Sequence, residues 1–600
     1  MRFRTTLAAL AVALAGAFGA TAVPADAAVS SATISGQTAT LNLDGADDNV
    51  TVSVSAGLLV HGQTTGGLNS GSDWDSAKAG DQTVPADGTF AVEVDGGGGN
   101  DAITVLAKTT EIDAAKLLGD AGDDVLTGAD TNDSLGGGEG NDRLVGAKGT
   151  DTMSGDEGND TLVWNNGDGT DTQDGGAGND GAEVNGSSTL GDAFTLAPDA
   201  GAGQVKFQRT NLVPFTIHST TERFQVNGLG GSDSLTASAG VGARTLLSVD
   251  GGPGADTLSG SDGPDLILGG EDNDVLSGGG GDDRIVGDRG SDTMNGGAGD
   301  DTLVWNNGDG SDVANGDDGR DDVEVNGAPA AGDVFTIKPN GARIKFDRTN
   351  LVPFSIDIGS SETLHANGLG GDDSIGVSEV GSYSVTASGG SGNDTLTGGG
   401  SSGTFLGGSG NDTITPGGGV DVVSADDGDD KVNVRDGTVD LASGGAGHDS
   451  VVADSSRLDI LDGFEAVDRT PIVTPPPVDT STRPLTIESR TAKVAGGKAS
   501  IKVSCPASSI GNCAGSLVLR TAKAVKLAGL RAVVQLGSTH YSLAPGSSRT
   551  LKVRLAHGSR HLADRKGHIR AEAVASTGAQ GRIAQSSRRL TIALGRAKRK

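Results

Sequence analysis

The chain has 600 residues, including 101 glycines but only 12 Phe, 3 Trp and 2 Tyr, so we expect several units, none with a large aromatic core. Its formal net charge is −34, from 79 acidic and 45 basic residues. These values argue against a single globular enzyme fold, and the excess of acidic residues argues against a nucleic-acid partner for the main part of the chain.

The charge is divided along the chain. Residues 481 to 600 contain 23 Lys and Arg against 3 acidic residues, which leaves about −54 formal charges on residues 1 to 480. Repulsion within so acidic a segment opposes compaction. Divalent cations are its natural counter-charge, because carboxylate oxygens are the hard ligands that they prefer.

The N-terminus has the pattern of a secretory signal. Arg2 and Arg4 precede an apolar stretch that ends near Val23, and Ala25 to Ala27 fits an A-x-A cleavage site. We therefore predict a signal peptide over residues 1–27 and a secreted, extracellular or cell-surface protein. An uncleaved membrane anchor is the alternative, and the short apolar stretch disfavours it. No other stretch is long enough to span a bilayer, so we expect no transmembrane span after cleavage.

A nine-residue pattern, GGxGxDxUx with U a large apolar residue, dominates the middle of the chain. Five units run without a gap from Gly119 to Val163, and six run from Gly251 to Val304. A rougher third run extends from Gly389 to Asn433. In it Gly403 replaces the expected Asp, so we expect this run to bind metal less completely.

A longer period of about 140 residues lies above the short one. The segment from Thr150 to Asn166 returns at residues 291–307, and the segment from Arg209 to Phe215 returns at residues 348–354. This predicts a duplicated module. The pair Trp164-Asn165 in the first copy shifts the nine-residue phase by two, so we expect the aromatic ring to plug the end of a roll or to start a new register.

Alternating apolar residues between the runs predict ordinary antiparallel strands. Examples are Asp192 to Leu196, Gln204 to Gln208 and Arg223 to Val226. The predicted organisation is a signal peptide at 1–27, an N-terminal β strand block at 28–95, repeat modules at 96–227, 228–367 and 368–455, a linker at 456–484 that is Pro-rich from 471, and a basic C-terminal β domain at 485–600.

The C-terminal domain alternates strand-like segments with turn residues, which predicts a β-sandwich-like fold. It contains both cysteines of the chain, Cys505 and Cys513. In an oxidising compartment we expect them to form one local disulfide, because a zinc site needs more ligands than two thiols.

The repeats resemble the RTX, or hemolysin-type, calcium-binding repeat family over residues 96 to 452. The resemblance implies an all-β parallel β-roll in which six residues of each unit form a turn and three form a strand, so that units i and i+2 stack. It also implies Ca²⁺ ions between stacked turns, held by backbone carbonyls and by the Asp at position six. The apolar residue at position eight is then expected to point inward.

Carried over unit by unit, the resemblance gives the metal ligands Asp124, Asp133, Asp142, Asp151, Asp160, Asp171, Asp180, Asp256, Asp265, Asp274, Asp283, Asp292, Asp301, Asp312, Asp321, Asp394, Asp412, Asp421 and Asp430. Pairs of Asp residues in units i and i+2 of the three runs predict about nine sites. Four isolated units lack such a partner in the sequence phase, which leaves open whether they bind metal: Asp101, Asp233, Asp373 and Asp449.

Motifs of catalysis are absent: there is no nucleophile elbow, zinc-protease helix, P-loop or dinucleotide-binding fingerprint. The clustered histidines His557, His561 and His568 fit a surface of the basic domain better than a site. We therefore expect a non-enzymatic protein whose repeats fold on binding Ca²⁺. Two alternatives stay open: a calcium-stabilised extracellular enzyme with an unrecognised active site, and an adhesin or scaffold whose basic domain binds anionic cell-envelope polymers.

Overall fold

The computed structural model describes residues 31–35, 37–43, 47–55, 58–63, 90–108, 111–201, 203–454, 458–470, 485–495, 497–507, 513–523, 525–527, 530–556, 568–579 and 582–594. The predicted signal peptide, the Pro-rich part of the linker and His557 and His561 lie outside these residues. The described residues form strands and turns, and none of them belongs to a helix that is long and apolar enough to cross a membrane.

The strands up to the first inserted segment are β1 Ser31–Ser35, β2 Thr38–Asn42, β3 Asn49–Ser55, β4 Leu58–Gln63, β5 Ala91–Asp95, β6 Ala102–Leu106, β7 Ala114–Ala121, β8 Val125–Thr127, β9 Ser134–Glu139, β10 Arg143–Val145, β11 Thr152–Glu157, β12 Thr161–Asn165, β13 Asp171–Asp174 and β14 Gly181–Asn185. Those up to the second inserted segment are β15 Ala193–Pro198, β16 Val205–Arg209, β17 Phe215–Ser219, β18 Arg223–Asn227, β19 Ser234–Ala237, β20 Leu246–Pro253, β21 Thr257–Ser259, β22 Leu266–Glu271, β23 Val275–Gly280, β24 Arg284–Arg289, β25 Thr293–Ala298, β26 Thr302–Trp305, β27 Val313–Asp318 and β28 Asp322–Asn326.

The remaining strands before the linker are β29 Val334–Asn340, β30 Arg343–Arg348, β31 Phe354–Gly359, β32 Thr363–Gly370, β33 Ser374–Val377, β34 Ser384–Ser391, β35 Thr395–Thr397, β36 Gly403–Ser409, β37 Thr413–Thr415, β38 Val422–Asp427, β39 Lys431–Asn433, β40 Leu441–Ala446, β41 Ser450–Val452, β42 Ile460–Asp462 and β43 Ala466–Asp468. The C-terminal strands are β44 Thr486–Ile487, β45 Thr491–Ala495, β46 Lys498–Ser504, β47 Cys513–Thr521, β48 Val525–Leu527, β49 Leu530–Ala532, β50 Gln535–Leu543, β51 Ser548–Arg554, β52 His568–Ala579 and β53 Arg582–Ala593.

Successive units of the repeat alternate between two parallel sheets. β8, β10 and β12 pair in parallel in one sheet, and β9 and β11 pair in parallel in the other. Leu126, Leu144 and Leu162 therefore occupy equivalent positions in neighbouring coils. The strands that carry the first and second runs of repeats, and later the third, follow the same rule, which confirms the parallel β-roll. We call the sheet that contains β9 the first sheet and the sheet that contains β8 the second sheet.

Parallel pairing continues where the glycine-rich repeats give way to segments without the repeat. β5 pairs with β7, β18 with β20 and β32 with β34, so the predicted module limits at residues 95, 227 and 367 fall inside continuous ladders. The segment before residue 95 also joins the roll, because β2 pairs in parallel with β5 and β3 with β6.

Two segments are inserted between successive strands of the second sheet: one contains β15 to β17 and the other contains β29 to β31. Each inserted segment adds an antiparallel hairpin to the first sheet only. β16 pairs antiparallel with both β15 and β17, while β17 pairs in parallel with β13 and β15 with β19. The prediction of antiparallel strands is right for β15 and β16. It is wrong for β18, Arg223–Asn227, which pairs in parallel with β14 and β20, because the second sheet passes the insertion without interruption.

The core of the roll is a column of single apolar side chains from each strand. All position-eight residues of the two intact runs are at most 2% exposed, which confirms their inward direction: Leu126, Leu135, Leu144, Met153, Leu162, Leu258, Ile267, Leu276, Ile285, Met294 and Leu303. Each coil thus contributes only two such side chains.

A cluster of aromatic rings and one arginine joins each inserted hairpin to the roll. Trp305 stacks on Phe354 with ring centroids 3.7 Å apart, and the Arg348 guanidinium lies 5.5 Å and 5.0 Å from the two ring centroids. Arg348 Nη1 donates to Asn307 Oδ1 at 2.7 Å and forms an ion pair with Asp333 at 3.2 Å. Trp164, Phe215, Arg209 and Asp192 repeat this arrangement in the first copy.

The tryptophans lie inside the roll and do not plug an end. β12 contains Trp164 and pairs in parallel with β14 through five residues. The two extra residues lengthen one coil, so that Asp151 stacks on Asp171, 20 residues later, where neighbouring coils have a spacing of 18. The phase shift is therefore absorbed in a turn.

The C-terminal strands form a separate sheet around their own core. β44, β46, β45, β53, β52, β47 and β50 follow one another, and β51 pairs with the other side of β46. The ends of this sheet approach each other, because the Ala556 N–H donates to the Leu536 carbonyl at 2.9 Å. Cys505 and Cys513 are joined by a disulfide and are buried in this core.

Replacing Arg348 by methionine should destabilise the roll by about 3–5 kcal/mol, because the Asp333 carboxylate stays buried without a counter-charge. Arg348 and Asp333 are 3% and 0% exposed at the side chain. The measurement is urea unfolding of the full chain at saturating Ca²⁺, followed by tryptophan fluorescence. Arg320→Met, at an exposed arginine, is the matched control. Equal unfolding midpoints for the two variants would contradict the assignment.

Candidate metal centre

An acidic residue stands immediately before most strands of the roll, and these residues form a hydrogen-bonded ladder on each sheet. The Asp256 N–H donates to Asp274 Oδ1 at 2.8 Å, and the Asp274 N–H donates to Asp292 Oδ1 at 2.8 Å. Each carboxylate is thereby fixed by the backbone of the preceding coil. An acidic residue at position six suits this geometry, because a carboxylate has two acceptor oxygens: one bonds the neighbouring coil and the other stays free.

Each ladder consists of three segments. On the first sheet they are Asp133 to Asp171, Asp192 to Asp312 and Asp333 to Glu465. On the second sheet they are Asp48 to Glu222, Asp265 to Glu362 and Asp421 to Asp459.

The second oxygen of almost every ladder aspartate is buried and has no hydrogen-bond partner. Among the predicted ligands this holds for the Oδ2 atoms of Asp124, Asp142, Asp151, Asp160, Asp171, Asp180, Asp256, Asp274, Asp283, Asp292, Asp301, Asp312, Asp321, Asp394, Asp412, Asp421 and Asp430. A buried carboxylate oxygen without a donor is costly, so the arrangement requires a cation or a proton at each of these atoms.

Two predicted ligands differ from the others. Asp133 Oδ2 accepts the Ala129 N–H at 2.6 Å, and Asp265 Oδ2 accepts the Ser261 N–H. Both residues begin a ladder segment, where no preceding aspartate N–H is available. The protein satisfies these two carboxylates itself, so they differ from the seventeen aspartates with a free oxygen.

The first glycine of each unit faces both the free carboxylate oxygen and a backbone carbonyl of the next coil. A Cβ atom on Gly269 would lie 2.5 Å from Asp274 Oδ2 and 2.5 Å from the Gly287 carbonyl oxygen. No side chain fits between these oxygens. Carbonyl and carboxylate oxygens around a small space are the ligand set that Ca²⁺ prefers, so the residues present fit this ion.

A protein-family comparison bears on these ladders. The model of the RTX calcium-binding nonapeptide repeat matches residues 116–144, 128–162, 250–285, 277–304, 386–414 and 398–432. The chain carries RTX calcium-binding nonapeptide repeats. No curated protein matches the chain in a sequence search. The matched ranges coincide with the three runs of RTX units, whose family implies Ca²⁺ as the bound ion.

The RTX aspartates outside these runs also belong to the ladders. The Asp101 N–H donates to Asp124 Oδ1, the Asp233 N–H to Asp256 Oδ1 and the Asp373 N–H to Asp394 Oδ1, at 2.6–2.7 Å. Asp449 accepts the Asp430 N–H at 3.0 Å. These four units therefore have stacked partners, which lie 19–23 residues away and so outside the 18-residue phase of the sequence.

Several ladder residues have no glycine-rich turn before them, and sequence reasoning missed them: Asp48, Asp192, Asp333, Asp440, Asp459, Glu222, Glu362 and Glu465. They share the last part of the RTX unit, an acidic residue followed by an apolar residue two positions later, as in Asp192-Ala-Phe and Glu222-Arg-Phe. That shorter pattern is the signal that would have found them.

Burial raises the pKa of many ladder aspartates above the usual 3.8. The pKa is about 6 for Asp124, about 7 for Asp283 and about 8 for Asp292. Burial is the largest cause, and for Asp283 and Asp292 the carboxylates of the adjacent coils raise the pKa further, while the N–H donors of the ladder oppose the change. Without a metal ion, these RTX turns therefore bind protons near neutral pH.

Proton binding gives the metal-free roll a pH dependence of defined sign. Because the folded pKa values exceed the unfolded value of 3.8, their contribution to stability is complete below that value and is lost as pH rises through about 6 to 8. Protein freed of metal on a chelating resin should show more β signal in far-UV circular dichroism at pH 5 than at pH 8. Calcium affinity should rise over the same interval, since Ca²⁺ displaces protons. An equal or larger metal-free β signal at pH 8 would contradict this explanation.

Proposed function

We propose that this chain is a secreted or cell-surface calcium-binding protein whose RTX rolls fold when Ca²⁺ binds, and that it is not an enzyme. The observation that carries the proposal is the row of buried Oδ2 atoms without a partner. Asp142, Asp160, Asp283 and Asp301 are each at most 2% exposed and lie in stacked coils. When bound, Ca²⁺ supplies the positive charge that these carboxylates lack.

Folding on binding follows from the thin core. A regular coil of the two intact runs buries only two position-eight side chains and few others, whereas its glycine-rich turns lose much conformational entropy on ordering. Hydrophobic burial at this density does not offset that entropy and the repulsion of stacked carboxylates, so the ion provides the missing stabilisation.

The non-enzymatic role is supported by the enclosure of the carboxylates. Ladder aspartates such as Asp274 and Asp301 are 1% exposed and stand against glycine backbone, with no space for even a Cβ atom beside them. A substrate cannot reach a group enclosed in this way. Secretion and cell-surface location are supported by the signal-like N-terminal pattern, by the disulfide between Cys505 and Cys513 and by millimolar extracellular Ca²⁺, which suits sites with a Kd on the order of 10⁻⁴ M.

Calcium should increase the β signal of the mature chain in far-UV circular dichroism, with a midpoint on the order of 10⁻⁴ M. Asp283→Asn should raise that midpoint severalfold, because it removes one charged ligand from the middle of a ladder segment. Asp318→Asn, at an exposed carboxylate of the same region, is the matched control and should leave the midpoint unchanged. A β signal of the same size in excess chelator would contradict the proposal.

A second function, attachment to anionic cell-envelope polymers, is favoured by a basic patch on the C-terminal sheet. We define the basic patch as Lys493, Lys498, Lys502, Lys552 and Arg554, all exposed. Lys498 stands directly opposite Arg554 across the antiparallel pair of β46 and β51. Like charges in directly opposed positions cost stability, which an anionic partner would remove.

The segment 484–600 alone should bind anionic liposomes or cell-wall fragments at low salt and release them as salt screens the charges. Its buried core lies within residues 485–592, which supports independent folding. The triple variant Lys498→Gln, Lys552→Gln, Arg554→Gln should bind much more weakly than the control Lys523→Gln, Arg570→Gln, Arg589→Gln, which removes the same charge elsewhere. No binding at low salt would leave charge compensation of the acidic roll as the role of this domain.

A further inference from the structure

A third carboxylate joins two ladder aspartates near the C-terminal end of the roll. Asp436, in the loop between β39 and β40, lies beside Asp421 and Asp440 of the second-sheet ladder. One oxygen from each of the three lies within 4.8 Å of the other two. In the described part of the chain, no other group of three Asp, Glu, His or Cys side chains has its candidate ligand atoms this close together.

Each of the three carboxylates is held by one oxygen and has the other free. The Gly403 N–H donates to Asp421 Oδ1 at 2.7 Å, and the Asp421 N–H donates to Asp440 Oδ1 at 2.9 Å. Asp436 Oδ1 accepts the N–H and the hydroxyl of Thr438 at 2.7 and 2.6 Å. The Oδ2 atoms of all three are buried without a hydrogen-bond partner, and the Asp421 and Asp440 residues are 0% and 1% exposed.

The start of this ladder segment differs from the starts at Asp133, Asp265, Asp192 and Asp333. Asp133 and Asp265 also begin segments, and backbone N–H groups satisfy their Oδ2 atoms. Asp192 and Asp333 begin segments too, and each forms an ion pair with a buried arginine. Asp421 begins its segment with neither device, and one of its oxygens lies within 4.8 Å of an oxygen of Asp436 and of Asp440.

No described lysine or arginine neutralises the cluster. The nearest basic residue in sequence, Arg435, points elsewhere: its Nε donates to the Ala453 carbonyl at 3.0 Å and its Nη2 lies 3.3 Å from Asp468 Oδ2. Two buried carboxylates and one half-buried carboxylate repel one another, and their free Oδ2 atoms are shielded from solvent. The arrangement therefore fits a cation.

The local sequence around the cluster departs from the RTX unit by one substitution and one additional residue. Pro416 replaces the first glycine of the unit that contains Asp421, and the following ladder step, from Asp421 to Asp440, spans 19 residues where regular steps span 18. The Asp436 side chain lies in the turn that contains this additional residue. A regular turn presents a glycine carbonyl at its first position, whereas this turn adds a charged oxygen.

We propose that Asp421, Asp436 and Asp440 form a three-carboxylate site for a hard cation, distinct from the RTX turn sites and with higher affinity for Ca²⁺ than they have. Affinity for Ca²⁺ rises with the number of charged ligands, and a third carboxylate adds one charge to the site. The same charge favours a trivalent ion of similar size, so Tb³⁺ is a suitable probe. The proposal uses the proposed calcium function only for the identity of the ion.

The test compares Asp436→Asn with Asp426→Asn in the full chain. Asp426 is an exposed aspartate near the end of β38 in the third run, so the control makes the same substitution outside the cluster. Asn keeps the acceptor oxygen that Thr438 bonds, so the loop retains its hydrogen bonds. Competition against a chromophoric chelator measures Ca²⁺ and Tb³⁺ binding, and thermal unfolding in chelator measures the metal-free stability.

The wild-type chain and Asp426→Asn should each show one site that fills before the others. Asp436→Asn should weaken that site on the order of tenfold or more for Ca²⁺, and more for Tb³⁺, while the remaining sites are unchanged. Its stability in chelator should equal or exceed that of the wild type, because one repelling charge is gone. Unchanged binding in Asp436→Asn, or an equal loss in both variants, would overturn the three-carboxylate site. Absence of Ca²⁺ binding in the wild-type chain would instead overturn the proposed function.

Discussion

Stacking buried carboxylates is the constraint on which the rest of this structure depends. Coils of a parallel roll are spaced by about 4.8 Å, so a residue at a fixed position of each coil stands next to its own copy. Here that residue is aspartate, and its burial raises the pKa of groups such as Asp292 and Asp421 to about 8. Each buried carboxylate therefore needs a partner. Asp192 and Asp333 pair with an arginine, and Asp133 and Asp265 accept backbone N–H groups. The free oxygens of the other ladder aspartates fit a proton or a metal ion.

The ion pairs with arginine explain how the ladder of the first sheet restarts after each inserted segment. Asp192 and Asp333 follow directly after an interruption of the first-sheet ladder, where no preceding coil offers an aspartate N–H. Arg209 and Arg348 supply both the missing donor and the missing charge. Each arginine is held in turn by the ring of a tryptophan, Trp164 or Trp305, and by the asparagine that follows the Trp-Asn pair, Asn166 or Asn307. The two sequence segments that are duplicated together, one with the tryptophan and one with the arginine, therefore form a single cluster in each copy.

Sequence alone predicts the parts of this fold that depend on local pattern. The nine-residue repeat, through its resemblance to the RTX family, predicts the parallel coils and the inward direction of residues such as Leu144 and Ile285. Alternation cannot show that β18 is parallel, since an antiparallel strand has the same pattern. Only its partner Gly181, 42 residues before Arg223, makes the distinction. Asp192 and Asp436 escaped prediction for a related reason: their roles depend on insertions that bring distant coils into register.

The segmented ladders also determine how the roll responds to its ion. In a solenoid each coil contacts only its neighbours, so stability is a sum of local terms and nearest-neighbour terms. At the interruptions on the first sheet the carboxylate is neutralised by arginine, and this local term does not depend on calcium. Under the proposed function, the coils between the interruptions bind ions, and neighbouring sites in one segment are coupled through shared turns. The roll would then be a series of calcium-dependent segments joined at calcium-independent arginine contacts, and a site that loses its ion would weaken its own segment more than the next one.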